Sequence, residues 1–191
     1  MEKATIHIKN MVCNRCIKVV KEELHKIGYI VEEITLGEAT IQSEDKIDFN
    51  LIDKILIENG FELIDSRQSR IIEKIKVTVI ETIKEMAEGK IKNILFSDLL
   101  QEKLNLSYQY LSGLFSSSEG ITIEKFIILQ KIEKVKELIV YDELSLSEIA
   151  YRLGYSSVQH LSNQFKKITG LTPSHFKKIK DLKRNPLDKI I

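Results

Sequence analysis

Two cysteines near the start of the chain have the type and spacing that metal or redox chemistry needs. Cys13 and Cys16 form a C-x-x-C pair, and the sequence contains no other cysteine. Two thiolates at this spacing can bind one soft cation, and the start of a following helix stabilises their negative charge. Arg15 also favours the thiolate form, so a dithiol redox switch is an alternative to a metal site. Both alternatives are more typical of a reducing compartment than a structural disulfide is.

A second set of polar side chains lies on a predicted helix near the end of the chain. Its polar side carries three amides, a histidine and two lysines, at Gln159, Asn163, Gln164, His160, Lys166 and Lys167. Amide side chains can bridge base edges in the major groove of DNA, and lysines can hold phosphates. The pattern therefore predicts a DNA recognition helix, although a plain amphipathic hairpin has the same periodicity.

The charge distribution agrees with a binding face at this end. Residues 145–184 carry 8 Lys/Arg and 2 Asp/Glu, although the whole chain has a net charge of only +1. A basic segment on a nearly neutral chain is what a local phosphate-binding face would produce. A lysine-rich, solvated helix surface would give the same count.

The elements that position the two cysteines mix strands and helices. The sequence predicts strands at 4–9, 29–36, 39–43 and 61–64, and helices at 16–27 and 50–59. A turn at Gly37-Glu38 joins the middle two strands into a hairpin. The order βαββαβ is that of the split ferredoxin-like unit.

From residue 69 onward the periodicity is helical throughout. Helices are predicted at 71–87, 97–104, 108–116, 123–141, 146–153, 158–168 and 174–180. A short helix, a tight turn and a second helix occur at 97–116 and again at 145–169. In the second unit Gly154 can adopt the left-handed conformation that a sharp corner needs.

The predicted fold is therefore α+β, with a ferredoxin-like domain followed by an all-α domain of two helix-turn-helix units joined by a long helix. The predicted bounds are 1–65 for the first domain, 66–88 for a linker helix, 89–184 for the helix-turn-helix domain and 185–191 for a tail.

The C-terminal segment resembles a known family. Residues 145–178, SLSEIAYRLGYSSVQHLSNQFKKITGLTPSHFKK, are similar to the signature of AraC/XylS transcription regulators in the I-A-x-x-L-G-Y turn, the L-S-x-x-F-K-K helix and the G-x-T-P-S-x-F ending. Residues 107–139 resemble the first helix-turn-helix and the connecting helix of that family. The resemblance implies two recognition helices that enter successive major-groove segments of a double-stranded DNA operator.

The resemblance also assigns individual positions. It places base-facing residues at Ser107, Gln109, Ser112 and Gly113 in the first unit and at Ser157, Val158, Gln159 and Asn163 in the second. Ser174 and His175 start the final helix and fit a phosphate clamp, because helix N-termini attract anions. Residues 107–116 contain no basic residue, so we expect the second unit to contribute most of the affinity.

The N-terminal segment resembles the heavy-metal-associated domain of copper chaperones and copper pumps, which carries M-x-C-x-x-C in the same loop. Met11, Cys13 and Cys16 match this motif, whereas Asn10 stands where that family usually has Gly. The resemblance implies Cu(I), or another soft ion such as Zn(II), bound by the two cysteines, with Met11 and Phe61 as accessory residues. An idle scaffold that only dimerises and a thiol redox switch remain alternatives.

The favoured function is a DNA-binding transcriptional regulator, responsive to a soft metal and acting alone or as a homodimer. A metal-handling protein with a helical interaction domain is the alternative from another class. The sequence has no Ser/His/Asp order, His/Glu metal triad or glycine-rich phosphate loop, so we expect no enzyme. It also lacks a signal peptide and a bilayer-spanning apolar run, and we therefore expect a cytoplasmic protein without membrane contact.

Overall fold

A computed structural model describes residues 2–64, 67–92 and 94–183. The N-terminal elements are β1 (Glu2–Lys9), α1 (Asn14–Lys26), β2 (Ile30–Thr35), β3 (Glu38–Ser43), α2 (Phe49–Glu58) and β4 (Glu62–Leu63). The helices that follow are α3 (Arg67–Ala87), α4 (Phe96–Leu104), α5 (Tyr108–Glu119), α6 (Ile123–Tyr141), α7 (Leu146–Arg152), α8 (Val158–Thr169) and α9 (Pro173–Lys183). The predicted α+β class and the βαββαβ order are confirmed.

The chain divides into two compact units. One consists of Met1–Thr78 and Leu100–Leu114, and the other of Val79–Leu99 and Phe115–Ile191. The domain limits predicted from the sequence stay predictions, and the predicted tail at 185–191 lies outside the described residues. In the described part of the chain, no helix combines the length and the apolar composition needed to span a membrane.

The sheet of the first unit has the strand order β2-β3-β1-β4, and every pairing is antiparallel. Alternate residues of β1, such as Ile6 and Ile8, are buried because successive side chains of a strand point to opposite faces. Val20 and Leu24 of α1 join the same core, as do two residues of α2. The loop between β1 and α1, which ends at Cys13, is thus held between buried elements, and Cys16 lies in the first turn of α1.

The predicted turn at Gly37-Glu38 is wrong by one residue. Glu38 is the first residue of β3 and pairs with both Thr35 and His7, so Leu36 and Gly37 form the turn. Gly37 has a φ of 84°, a conformation that glycine adopts without steric cost. Helix α3 begins at Arg67, inside the predicted linker helix at 66–88, whereas the apolar stripe begins only at residue 71. The apolar stripe used for the prediction marks only the part of a helix that is buried.

The core of the second unit is built from helices α3, α6, α7 and α8. Leu153, Leu161 and Phe165 are fully buried in it, together with Ile132 and Val135 of α6. These positions recur every three or four residues along α6 and α8, which places each set on one helix face. The helix-turn-helix formed by α7 and α8 therefore rests on the long helix α6.

The turn between α7 and α8 is a Schellman motif. The amide of Tyr155 donates to the carbonyl oxygen of Ala150 at 2.9 Å, and the amide of Gly154 donates to that of Tyr151 at 3.2 Å. Gly154 has a φ of 70°, as the sequence predicted. The two bonds satisfy carbonyls that the end of α7 would otherwise leave without a partner.

We expect Gly154→Ala to destabilise the second unit by about 1–3 kcal/mol, because alanine is strained at positive φ. The added Cβ would also lie 3.2 Å from Cε of Met86, closer than ordinary contact. Gly113→Ala is the matched control, since nothing lies within 4 Å of its added Cβ and its φ is not positive. Urea denaturation followed by circular dichroism measures both changes, and equal effects of the two substitutions would contradict this account of the turn.

Candidate nucleic-acid interface and thiol pair

Helices α7 and α8 both begin with a serine cap. Ser145 forms a capping box with Glu148, in which the Glu148 amide donates to Ser145 Oγ and the Ser145 amide donates to Glu148 Oε2. Ser157 caps α8 by accepting a hydrogen bond from the His160 amide at 3.1 Å. Each cap is worth about 1 kcal/mol and sets the residue at which the helix begins. Ser157 is exposed, so its hydroxyl lies beside the predicted recognition face.

Gln159 and Asn163 form one continuous amide surface on α8. Both side chains are exposed, and Gln159 Nε2 donates to Asn163 Oδ1 at 2.8 Å. Residues four apart on a helix lie on the same face, so this bond orders the two side chains in one direction. The remaining Asn163 amide hydrogens and the Gln159 oxygen are available to base edges, which is the pairing that favours adenine.

The two lysines extend this face toward the end of α8. Lys166 is three residues beyond Asn163, and both Lys166 and Lys167 are exposed. Neither lysine has an ion-pair partner in the described part of the chain. By contrast, Lys177 of α9 is paired with Asp142. Two unpaired cations at one end of an amide-bearing helix can contact phosphates without first breaking an intramolecular bond.

The other predicted positions of α8 differ in their exposure and their hydrogen bonds. His160 is exposed but bonded through Nδ1 to Ser156 Oγ at 3.0 Å, and its ring makes an edge contact with Tyr155. Val158 is only half-buried and packs against the core of the unit. Gln164, a third amide on this helix, accepts a hydrogen bond from the hydroxyl of buried Tyr155 at 2.8 Å. Burial raises the pKa of Tyr155 to about 12, so this donor keeps its proton.

The first helix-turn-helix presents a less polar surface. Ser107 precedes α5 and accepts a hydrogen bond from the Tyr110 amide, while Gln109 and Gly113 are exposed and Ser112 is half-buried. Helix α5 has no acidic residue in its first turn and no basic residue in its last turn. The surface therefore offers amide, hydroxyl and backbone groups to a ligand, and it lacks the lysines of α8.

Several polar residues lie close together at the start of α9. The Thr172 hydroxyl accepts a hydrogen bond from the His175 amide at 3.2 Å, and Ser174 and His175 are exposed. Lys178 lines the same shallow depression as these residues. The sequence analysis did not single out Lys178, although its i+4 spacing from Ser174 was the available signal.

The two cysteines lie side by side at the start of α1. Their Sγ atoms are 3.4 Å apart, with Cys13 exposed and Cys16 half-buried. A sulfur–metal bond of about 2.3 Å lets both atoms contact one ion at this separation. Among the described residues, no group of three or more His, Cys, Asp or Glu side chains surrounds a common point. The donor set is therefore two thiolates, which suits a soft ion of low coordination number.

The backbone before the cysteines is held by a residue from α3. Asn10 has a φ of 71°, a conformation that asparagine tolerates better than most residues other than glycine. Its amide donates to Oε1 of buried Glu73 at 2.9 Å, and its Nδ2 donates to the Gly60 carbonyl oxygen. Asn10 thus adopts a left-handed conformation that glycine would adopt without steric cost. Met11 and Phe61, predicted as accessory metal residues, are buried in the hydrophobic core of this unit.

We expect Cys13 to react with iodoacetamide faster than Cys16 at pH 7. Cys13 is exposed, and hydrogen bonds from the Cys16 amide and thiol lower the pKa of Cys13, with smaller contributions from Arg15. A lowered pKa increases the reactive thiolate fraction at any pH below it. Peptide mapping by mass spectrometry over time gives both rates.

The control variant for this measurement is Cys16→Ala, which removes the neighbouring hydrogen-bond donor but leaves Cys13 exposed. The reaction midpoint of Cys13 should then shift to higher pH. A midpoint that stays in place, or equal rates for the two cysteines in the unmodified chain, would contradict the geometry described above.

The C-terminal part of the chain is similar to several known proteins. Residues 100–179 match the helix-turn-helix domain family model. The Msm operon regulatory protein of Streptococcus mutans is 28% identical over 99 residues, or 52% of this chain and 36% of that protein. The xylose operon regulatory protein of Escherichia coli is 30% identical over 82 residues, or 43% of this chain and 21% of that protein. The chain thus spans about a third or less of these relatives' lengths.

Two solved structures share the fold. The C-terminal domain of AraT, a response regulator from Geobacillus stearothermophilus, is 27% identical with a TM-score of 0.51, covering 66% of this chain and 95% of that one. A DNA-binding transcriptional dual regulator from Escherichia coli K-12 is 16% identical with the same TM-score of 0.51, covering 63% of this chain and 100% of that one. The matched family is one of transcription regulators and not of enzymes. Residues 100–179 of this chain therefore form an AraC-family helix-turn-helix DNA-binding domain.

Proposed function

We propose that this protein is a sequence-specific transcriptional regulator that reads its operator mainly through α8. The observation that carries the proposal is the exposed, mutually bonded pair of Gln159 and Asn163, with Lys166 and Lys167 beyond it. This arrangement provides base-reading groups and phosphate-binding groups on one helix. The regulatory functions in the names of the relatives support the same conclusion, and a regulator of this kind works in the cytoplasm.

The two helix-turn-helix units contribute unequally in this proposal. Helix α8 carries the lysines, whereas α5 offers Gln109, Ser112 and Gly113 without a cation at its end. Phosphate contacts supply much of the affinity of a DNA-binding protein. The first helix-turn-helix therefore adds sequence discrimination more than affinity. A homodimer with two copies of α8 on one operator would compensate for the low affinity of the first helix-turn-helix.

We expect Asn163→Ala to weaken binding to the operator roughly ten-fold or more, because one well-placed amide–base pair contributes about 1–3 kcal/mol. Gln109→Ala should weaken it less. Fluorescence anisotropy with a labelled fragment from upstream of the protein's own gene measures both, at one fixed salt concentration. Gln68→Ala, an exposed amide outside the helix-turn-helix domain, serves as the control and should leave affinity unchanged.

A larger loss of operator affinity for Gln109→Ala than for Asn163→Ala would overturn the prediction that the second helix-turn-helix contributes more than the first. If the full chain bound neither that fragment nor a broad pool of DNA fragments, the regulator itself would be excluded. A metal-handling protein with a helical interaction domain would then be the better account of the chain.

The proposal extends to the N-terminal unit as a sensor of a soft metal ion, with Cu(I) favoured. Support comes from the thiol pair, the βαββαβ fold and the loop held by Asn10 and Glu73. Structural Zn(II) sites use four ligands, whereas only the two sulfurs converge in the described residues. The role of the chain is to keep Cys13 exposed and Cys16 beside it, so that both thiolates can reach one ion.

An anaerobic titration of the reduced protein with Cu(I), in competition with a chelator of known affinity, tests the sensor. We expect one ion per chain, lost in Cys13→Ser and in Cys16→Ser, and a change in operator affinity as the site fills. Asn14→Ser, at the first position of α1 between the two cysteines, is the control and should bind as the unmodified chain does.

Two results would replace the metal sensor with another function. Operator affinity that stays constant as Cu(I) binds would leave the N-terminal unit a scaffold. Absence of Cu(I) binding, together with an operator affinity that changes when diamide oxidises the pair, would assign a thiol redox switch.

A further inference from the structure

A cavity of about 310 Å³ lies within the first compact unit, and its lining includes neither cysteine of the thiol pair. Its walls come from β1, the turn between β2 and β3, the N-terminal half of α3 and the end of α4. Leu36, Ile64, Val77 and Leu104 make part of the wall apolar. This volume is at the lower end of the range of about 300–1,000 Å³ that is typical of small-molecule sites.

The cavity holds more positive than negative charge. Arg70, Lys74 and Lys103 line it, against two carboxylates from Glu38 and Glu73. None of the three cations has a hydrogen-bond or ion-pair partner within residues 2–64, 67–92 and 94–179. Arg70 and Lys74 are four residues apart on α3, so both side chains lie on the same helix face. Three unpaired cations around one apolar cavity favour an anionic occupant.

Both carboxylates are already occupied by neighbouring groups. Glu73 is buried and accepts a hydrogen bond from the Asn10 amide. Glu38 lies 3.2 Å from Nδ1 of His7. Burial lowers the pKa of His7, Glu38 opposes this, and Arg70 and Lys74 lower it further. His7 is therefore neutral at pH 7 and adds no charge, so the three cations outnumber the two carboxylates by one charge.

We propose that this cavity binds a small organic anion, with a carboxylate or phosphate held by Arg70 and Lys74 and an apolar body against Leu36 and Val77. A guanidinium can bind either anion with two parallel hydrogen bonds, and the nearby ammonium adds charge. A purely inorganic anion would leave the apolar wall without a partner, and a neutral molecule would leave the cations without one, so the ligand carries both features.

The cavity is lined in part by residues of the helix-turn-helix domain. Lys103 and Leu104 of α4 line the cavity, and α4 is the first helix of the first helix-turn-helix unit. We assign the ligand the role of an effector that shifts the position of α4 and so changes operator affinity. This role rests on the proposed function, whereas the binding site itself does not.

The test uses the full chain, ¹⁵N-labelled, and four matched probes: benzoate, phenyl phosphate, benzyl alcohol and benzylamine. We expect benzoate or phenyl phosphate to shift the amide signals of Gly37 and Val77, and the uncharged and cationic probes to leave them in place. The two anionic arms distinguish a carboxylate ligand from a phosphorylated one. In Arg70→Gln/Lys74→Gln the dissociation constant should rise at least about ten-fold.

The control variant is Arg67→Gln, an exposed arginine one turn earlier on α3 that does not line the cavity. It should bind the anions as the unmodified chain does. Lys103→Gln gives a second, independent variant on α4, should the double variant fail to fold. The anionic site is overturned if neither anion shifts the cavity amides, or if benzyl alcohol shifts them equally.

Operator affinity, measured by anisotropy with and without the bound anion, separates the two parts of the proposal. A change that disappears in Arg70→Gln/Lys74→Gln supports the effector role. Anion binding with unchanged operator affinity overturns that role. Anion binding by a chain that binds no DNA would overturn the proposed regulator and leave the site in place.

Discussion

The direction of the recognition helix depends on one backbone conformation, the left-handed turn at Gly154 between α7 and α8. The turn ends α7 in a Schellman motif and places Tyr155 where its hydroxyl bonds to Gln164 of the next helix. The Nζ atom of Lys131 lies 5.5 Å from the Tyr155 ring and 5.7 Å from the Phe96 ring. Burial lowers the pKa of Lys131, so its contacts with these rings compensate for lost hydration.

The same arrangement decides which amides of α8 can reach a ligand. Gln164 is used internally by Tyr155, whereas Gln159 and Asn163 bond to each other on the exposed face. One helix thus carries an amide that supports the fold and two that remain exposed. Because Leu161 and Phe165 are fully buried, the helix cannot rotate without exposing its core face.

A comparable division of roles occurs in the compact unit formed by Met1–Thr78 and Leu100–Leu114. Glu73 is a buried carboxylate that holds the Asn10 amide, and so supports the loop that leads to the cysteines. The same side chain lines the cavity that Arg70 and Lys74 make cationic. A buried carboxylate needs such hydrogen bonds, because an ionised group without them is costly to remove from water. Helix α3 therefore contributes to the thiol loop and to the cavity through residues within one turn of each other.

The sequence by itself determined the order of elements and the candidate thiol and amide groups. These features depend on local rules: alternation in β1, the three-to-four-residue spacing in α8, and the preference of Gly154 for positive φ. The comparison with known families then agreed with the helix-turn-helix assignment for residues 100–179. The one-residue error at Gly37 arose because strand pairing with Thr35 and His7, and not local preference, makes Glu38 the first residue of β3.

Only the tertiary structure decided which of the polar side chains are available and which are used internally. No local pattern distinguishes Gln164 from Gln159, since both are amides on one amphipathic helix. They differ because Gln164 bonds to Tyr155, nine residues earlier in the chain. The burial of Met11 and Phe61 likewise depends on the packing of the whole βαββαβ unit. The cationic cavity joins residues from positions 7 to 104, which approach one another only when the chain folds, because contacts between distant residues leave no periodic signal in the sequence.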